Sequence, residues 1–160
     1  THRAYHEIPF LWRFHAVHHS AEYMDWMAGS RLHLFELLTT RVSILGVLYV
    51  LGFSQAVTDV YIVIVGFQAV FNHANVRLPA IFGKAPLKWL IVTPDFHHWH
   101  HSSEREAIDR NYAAHFAFID YIFGTAVKSD RRFPGKYGVL GDYMPPGFVR
   151  QQLFPFTWKG

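Results

Sequence analysis

The stretch Leu11-Trp12-Arg13-Phe14-His15-Ala16-Val17-His18-His19-Ser20 places three histidines at i, i+3 and i+4. The same spacing recurs at His97-x-x-His100-His101, and a pair stands at His2-x-x-x-His6. At about 100° per residue these offsets fall at roughly 0°, 300° and 40°, inside one arc of a helix. So His15, His18 and His19 can point at one centre, as can His97, His100 and His101, with His2 and His6 converging as a third set. The spacing predicts helices, and the fold class it favours is all-α.

Imidazole is the abundant neutral metal-ligand side chain, and 12 of the 160 residues are histidine while none is cysteine. Disulfides, thiolate iron–sulfur sites and cysteine zinc fingers are therefore excluded. Any metal must sit on His, Asp, Glu or water. Four or five nitrogens each would serve two ions, whereas one zinc would need about three or four. Histidines lying exposed at coordinating spacing would have no packing reason. Ligand type alone leaves zinc, copper, iron and nickel open. An all-nitrogen pair with open positions suits a redox centre that activates dioxygen. The metalloprotease signature fails, because His6-Glu7 is followed by Ile8-Pro9-Phe10 rather than by a His three residues beyond the acid. A non-redox zinc-binding or metal-handling membrane protein is the competing reading, and a soluble metallohydrolase a third.

Composition points to a membrane. Hydrophobic residues make up 51% and charged residues 17%, below the roughly 25% charged of a soluble domain. The net charge is +3 and the pI about 9.3, but Lys and Arg are scattered without a dense basic stretch. That excludes nucleic acid as the expected partner and suits an anionic membrane surface.

Two apolar runs, Val42–Phe53 and Val60–Phe71, are nearly uncharged and joined by Gly52-Phe53-Ser54-Gln55. Each run spans about 18 Å as helix against the ~30 Å of a bilayer core. Extension through Leu37–Arg41 and Ala56–Asp59 brings them near spanning length. They predict a membrane hairpin with Arg41 and Asp59 at its ends or facing protein; a buried soluble hairpin is the alternative. Pro9 breaks a helix between the first two histidine sets, so a second helix should run from about residue 10 to 20. Residues 21–33 should be loop or short helix. Residues 73–96, with Pro79, Pro86 and Pro94, form a connector in which 87–92 could be a short interfacial helix. One or two helices should cover 97–123, and the Pro- and Gly-containing remainder should be mostly irregular.

These motifs together resemble the fatty acid hydroxylase/sterol desaturase superfamily. The resemblance rests on His2-Arg3-Ala4-Tyr5-His6, Leu11 to Ser20, His73-Ala74-Asn75, Thr93-Pro94 before His97-x-x-His100-His101-Ser102, Asn111-Tyr112 and Phe123-Gly124-Thr125. It implies a single integral membrane catalytic domain over residues 1–160, with a histidine-rich helical cap on the cytosolic face. It also implies two non-haem iron ions (zinc as a possible substitute) and O2-dependent hydroxylation or desaturation of a lipid. The lipid could be a fatty acyl chain, sterol, carotenoid or alkyl ether. The implied ligands are His2, His6, His15, His18, His19, His73, His97, His100 and His101. Upstream transmembrane helices implied by the family are absent from these residues, which reads as an N-terminal truncation. No electron-transfer domain is attached, so electrons would come from a separate cytochrome b5- or ferredoxin-type donor.

Around the ligands, Asp95, Asp109 and Glu7 could orient imidazole N–H groups, and Asn75 could polarise water at a metal. By resemblance His33, within Arg31-Leu32-His33-Leu34-Phe35-Glu36, could support the ligands from outside. His98 reads as an outer or surface residue and His115 as core or supporting. Trp12, Trp26 and Trp99 read as core or interfacial packing. No substrate-binding residue is legible.

Overall fold

A computed structural model describes residues 1–141 and 144–158. The regular structure among them is helical, with one isolated antiparallel bridge between Ser102 and Tyr137. The helices are α1 (His2–Glu7), α2 (Pro9–His19), α3 (Leu34–Val50), α4 (Gln55–His73), α5 (Leu87–Leu90), α6 (Pro94–His100), α7 (Phe118–Phe123) and α8 (Phe148–Thr157).

Pro9 does separate α1 from α2. It forces Ile8 into extended backbone (φ −99°, ψ 112°) and then starts the next helix as its first residue. The chain folds back there, so α1 packs on α2 and lays His2 and His6 over His15 and His19. Residues 21–33 are loop with one short 3-10 turn, Ala28–Ser30, which rests on α4.

α3 and α4 invert the usual burial pattern. On α3 the buried residue is Glu36, and on α4 they are Gln68, Asn72 and His73. Their apolar residues point outward: Leu38, Val42, Val47, Val60, Val63 and Phe67 are each more than half exposed. At about 1.5 Å per residue the 19 residues of α4 reach roughly 28 Å. Among the described helices, α4 alone meets both the length and the hydropathy needed to cross a membrane. Arg41 is exposed just before the run that begins at Val42, and Asp59 is exposed in the first turns of α4, bonded by Gln55 Nε2 at 2.7 Å. Both therefore lie on the surface.

One expectation differs from the structure. Helical structure around the third histidine set is shorter than residues 97–123: α6 starts at Pro94 and ends at His100. The chain from 102 to 117 is irregular apart from a 3-10 turn at Arg105–Ala107. The reason is local, since carbonyls of this segment are turned toward the histidines. The C-terminal part is mostly irregular, as expected, but holds one helix. α8 starts after Gly147 (φ +90°) and continues through Pro155. It packs Phe156 on Phe14, with ring centroids 5.9 Å apart. Gln152 accepts from the Leu34 backbone N–H at 2.8 Å and donates to Leu32 O. Tertiary contact with α2 outweighs the local helix-breaking signal.

Candidate metal centre

Nine histidines form two clusters whose ligand nitrogens lie within 4.8 Å of one another: His2, His6, His15, His19 and His100 in one, His18, His73, His97 and His101 in the other. The sequence motifs are therefore split, not kept whole. His15 and His19 serve the first cluster while His18 serves the second; His97 and His101 serve the second while His100 serves the first. Helix geometry explains this correction. The i, i+4 partners lie only about 40° apart, whereas the i+3 residue sits about 60° to the other side. Each motif thus straddles two centres instead of filling one.

In the five-histidine cluster, Nε2 of His15 lies 3.2 Å from that of His2 and 3.1 Å from those of His6 and His19. His100 Nε2 is 3.1 Å from His2 and 3.2 Å from His6. In the four-histidine cluster, His73 Nε2 lies 3.3, 3.1 and 3.2 Å from those of His18, His101 and His97.

The opposite nitrogens define the protonation state. His2 Nδ1 donates to Tyr112 O (2.6 Å), His18 Nδ1 to Arg31 O (3.1 Å), His73 Nδ1 to Ala69 O (2.7 Å) and His100 Nδ1 to Arg110 O (2.7 Å). His15 Nδ1 meets Glu36 Oε1 at 2.7 Å and His6 Nδ1 meets Asp109 Oδ1 at 3.2 Å. The four carbonyls can only accept, so Nδ1 of His2, His18, His73 and His100 carries the proton and Nε2 presents a bare lone pair. Asp109 and, once ionised, Glu36 place His6 and His15 in the same tautomer, although burial raises Glu36 to about 8 when no cation is near. Burial keeps the rings neutral: it lowers His2 to about 3 and holds His15, His18, His19, His97, His100 and His101 well below 6.5, with neighbouring imidazoles adding to the effect. Lone pairs facing one another at such distances repel unless a cation sits among them. The donor set therefore fits metal ions.

The surrounding residues divide sharply. Of Asp95, Asp109 and Glu7, the three carboxylates expected to orient a ring, Asp109 alone reaches one, that of His6. Asp109 (φ +54°) and Asn111 (φ +53°) both hold left-handed backbone, uncommon for non-glycine residues. They flank Arg110, whose carbonyl receives His100. Asp95 instead pairs with Arg132 Nε at 2.6 Å, Glu7 pairs with Arg3 on the surface at 2.7 Å, and Asn75 is exposed. His33 is buried but caps α3, accepting from Phe35 N–H at 3.0 Å and donating from Nε2 to Gln152 O at 2.9 Å. Both of its ring nitrogens are thus taken up by the α3 cap and by α8. His98 is not on the surface: it is 1% exposed, accepts from Tyr137 OH at 2.9 Å and donates to His73 O at 3.3 Å. His115 is half-buried, its ring near Tyr61.

Several contributors escape a reading of the sequence. Glu36, 5% exposed, is the carboxylate behind His15; a lone acid heading an apolar helix is the signal for it. Asp120 is buried and accepts from the Tyr112 and Ala113 N–H groups at 2.9 and 2.7 Å, fixing the loop whose carbonyl receives His2. Gly29 lies so close to α4 that a Cβ there would sit 2.9 Å from His73 Nδ1. A cavity of about 230 Å³ reaches the five-histidine cluster between Trp12, His6, His19, His100 and Leu140. Trp12 covers His6 and His19 with ring centroids 5.2 and 5.5 Å away, while Trp99 is buried and Trp26 exposed.

The sequence is similar to those of known proteins. An ornithine lipid hydroxylase of Rhizobium tropici is 31% identical across all of this chain and 47% of its own length. Human alkylglycerol monooxygenase is 29% identical over 78% of the chain and 26% of its own length. A rice very-long-chain aldehyde decarbonylase is 33% identical over 80% of the chain and 21% of its own length. The chain thus spans about half or less of these curated relatives. No solved structure matches. The family profile described as fatty acid hydroxylase matches residues 1–125, a stretch holding all nine clustered histidines. On that match, the chain belongs to the fatty acid hydroxylase family.

Proposed function

We propose that this chain is the catalytic domain of an integral membrane, O2-dependent lipid hydroxylase whose two clusters each hold one iron ion. The observation that carries the reading is the division of nine Nε2 atoms into sets of five and four, with six Nδ1 atoms anchored to oxygen. Zinc is a weaker occupant, since its protein sites rarely exceed about four ligands and one cluster offers five. Two bound irons, supplied with two electrons, would activate dioxygen for attack on an unactivated C–H bond.

The chain's own residues prepare that chemistry. Glu36 and Asp109 make His15 and His6 more basic donors and fix their ring orientations. Carbonyls do the same for His2, His18, His73 and His100. Trp12 shields the five-histidine cluster, and the adjoining cavity suits dioxygen or water better than a lipid chain, for which pockets usually exceed about 300 Å³. A dry surround protects a reactive centre from side reactions.

The outward apolar faces of α3 and α4 support a membrane hairpin; the cytosolic side for the histidine-rich cap is carried by the family resemblance alone. The names of two of the relatives, an ornithine lipid hydroxylase and an alkylglycerol monooxygenase, support oxygen insertion into a lipid over desaturation. A separate cytochrome b5- or ferredoxin-type protein would supply electrons. The test is lipid profiling of cells with and without the gene. A lipid gaining one oxygen, absent in a His15→Ala strain, is the expected result; lipid profiles unchanged by deletion would sink the reading.

A further inference from the structure

A second cavity, about 760 Å³, lies behind α6. Asp95 and Trp99 of α6 line it; at about 100° per residue they face away from His97 and His101. Lys88, Lys128, Arg131, Arg132 and one further carboxylate, Asp130, also line it. The two arginines are engaged: Arg131 with Glu104 and Glu106, Arg132 with Asp95 and the Leu78 carbonyl. The two lysines form no ion pair among the described residues. The Lys88 ammonium lies over the rings of Trp89 and Tyr121, 5.5 and 5.6 Å from their centroids. Asp95 Oδ1 is buried without a hydrogen-bond partner, and its carboxylate, like that of Asp130, repels an anion, so a phosphate must seat on the lysine side of the cavity.

The cavity's position decides what could fill it. α5 and α7 pack together beside it, and they expose Trp89, Leu90, Ile122 and Phe123. This layer is bound to the candidate span: Gln68 donates to Val92 O and Asn72 to Ala114 O, both at 2.9 Å. The ring of Tyr61, lower on α4, lies 6.4 Å from His115. Unpaired lysines beside a Trp and an apolar row are the pattern of a membrane interface, where basic side chains meet lipid phosphates.

We propose that this cavity binds the phosphate headgroup of an anionic phospholipid through Lys88 and Lys128, at a site distinct from the metal centre. The proposal rests on the reading that α4 lies in a bilayer. An acidic partner protein is disfavoured, because the site is a recess flanked by apolar side chains rather than an open basic face.

The experiment reconstitutes the detergent-purified protein into phosphatidylcholine vesicles with and without phosphatidylglycerol. Retained lipid is then read by native mass spectrometry, and iron content is measured on the same samples. The Lys88→Gln, Lys128→Gln double variant should insert normally, keep its iron and retain about tenfold less phosphatidylglycerol. Should the double variant lose iron, Lys128→Gln alone, at an exposed position, carries the comparison. Equal phosphatidylglycerol retention by variant and parent overturns the proposal. So does complete displacement of the lipid by inorganic phosphate, which would make the ligand a free anion. Unchanged lipid retention with weakened reduction by an acidic electron donor would assign the lysines to a protein partner instead. Failure to insert into either vesicle would remove the membrane reading itself, whatever the iron content.

Discussion

The rings of His19 and His101 stack with centroids 4.3 Å apart and planes 19° from parallel, yet their Nε2 atoms belong to different clusters. Stacking brings the two centres together through side chains from α2 and from the end of α6. Replacing either ring should disturb both clusters, whereas a ligand remote from the seam should disturb one. His101→Ala is therefore expected to lower occupancy at both sites, and His2→Ala chiefly at the five-histidine site. Metal analysis with a site-sensitive iron spectrum checks this; identical losses for the two variants would refute it.

Glu36 holds His15 from behind at 2.7 Å within a buried pair. Partners of this kind typically contribute about 10- to 100-fold in metal affinity. Glu36→Leu should weaken the five-histidine cluster by that order and leave the four-histidine cluster near its original affinity, because no carboxylate contacts His18, His73, His97 or His101 among the described residues. Equilibrium competition with a chelator distinguishes the two sites. Equal weakening of both would contradict the assignment.

Gly29 is where backbone closeness matters. A methyl there would meet His73 Nδ1 at 2.9 Å and Ala69 O at 3.1 Å. Overpacking of this kind costs about 1–3 kcal/mol. Gly29→Ala should lower the thermal midpoint and selectively loosen the four-histidine cluster. Gly46→Ala, with nothing within 4 Å of its new Cβ, should do neither. A Gly29→Ala protein with unchanged stability and metal content would show that the turn has room to give.

Acid should unfold the metal-free protein early. Burial lowers His2 from 6.5 to about 3, so this ring is neutral when folded but takes a proton readily when unfolded. Its contribution is fully present above pH 6.5 and is lost as pH falls toward 3, at about 1.4 kcal/mol per pH unit for one proton. The other buried histidines of the two clusters shift in the same direction. Thermal midpoints measured from pH 7.5 downward should fall steeply below about pH 6.5, and metal should leave over the same range because protons compete for Nε2. A midpoint flat between pH 7 and 5 would show that the rings are not held neutral.

What the sequence reveals here follows from periodicity. Helical spacing of the histidines and the two apolar runs are local patterns, and they identify the clustered imidazoles, the break at Pro9 and the long helices α3 and α4. What escapes it is set by tertiary contact. Which histidines share a cluster depends on how α1 crosses α2 and α4 crosses α6. Glu36 and His33 sit in one short segment, yet the acid reaches His15 while the imidazole caps a helix. Asp95 lies beside the third motif but turns away to Arg132. Carbonyls such as Tyr112 O and Arg110 O carry no side-chain signature, and α8 forms despite Pro155 because α2 offers it a surface.

The most direct test is the iron content of the detergent-purified protein, prepared without oxygen, alongside His15→Ala and His97→Ala variants. About two irons per chain in the parent, with each variant losing metal first from a different cluster, is the expected result. A single zinc per chain, with no iron uptake by either cluster, would contradict a dinuclear iron centre.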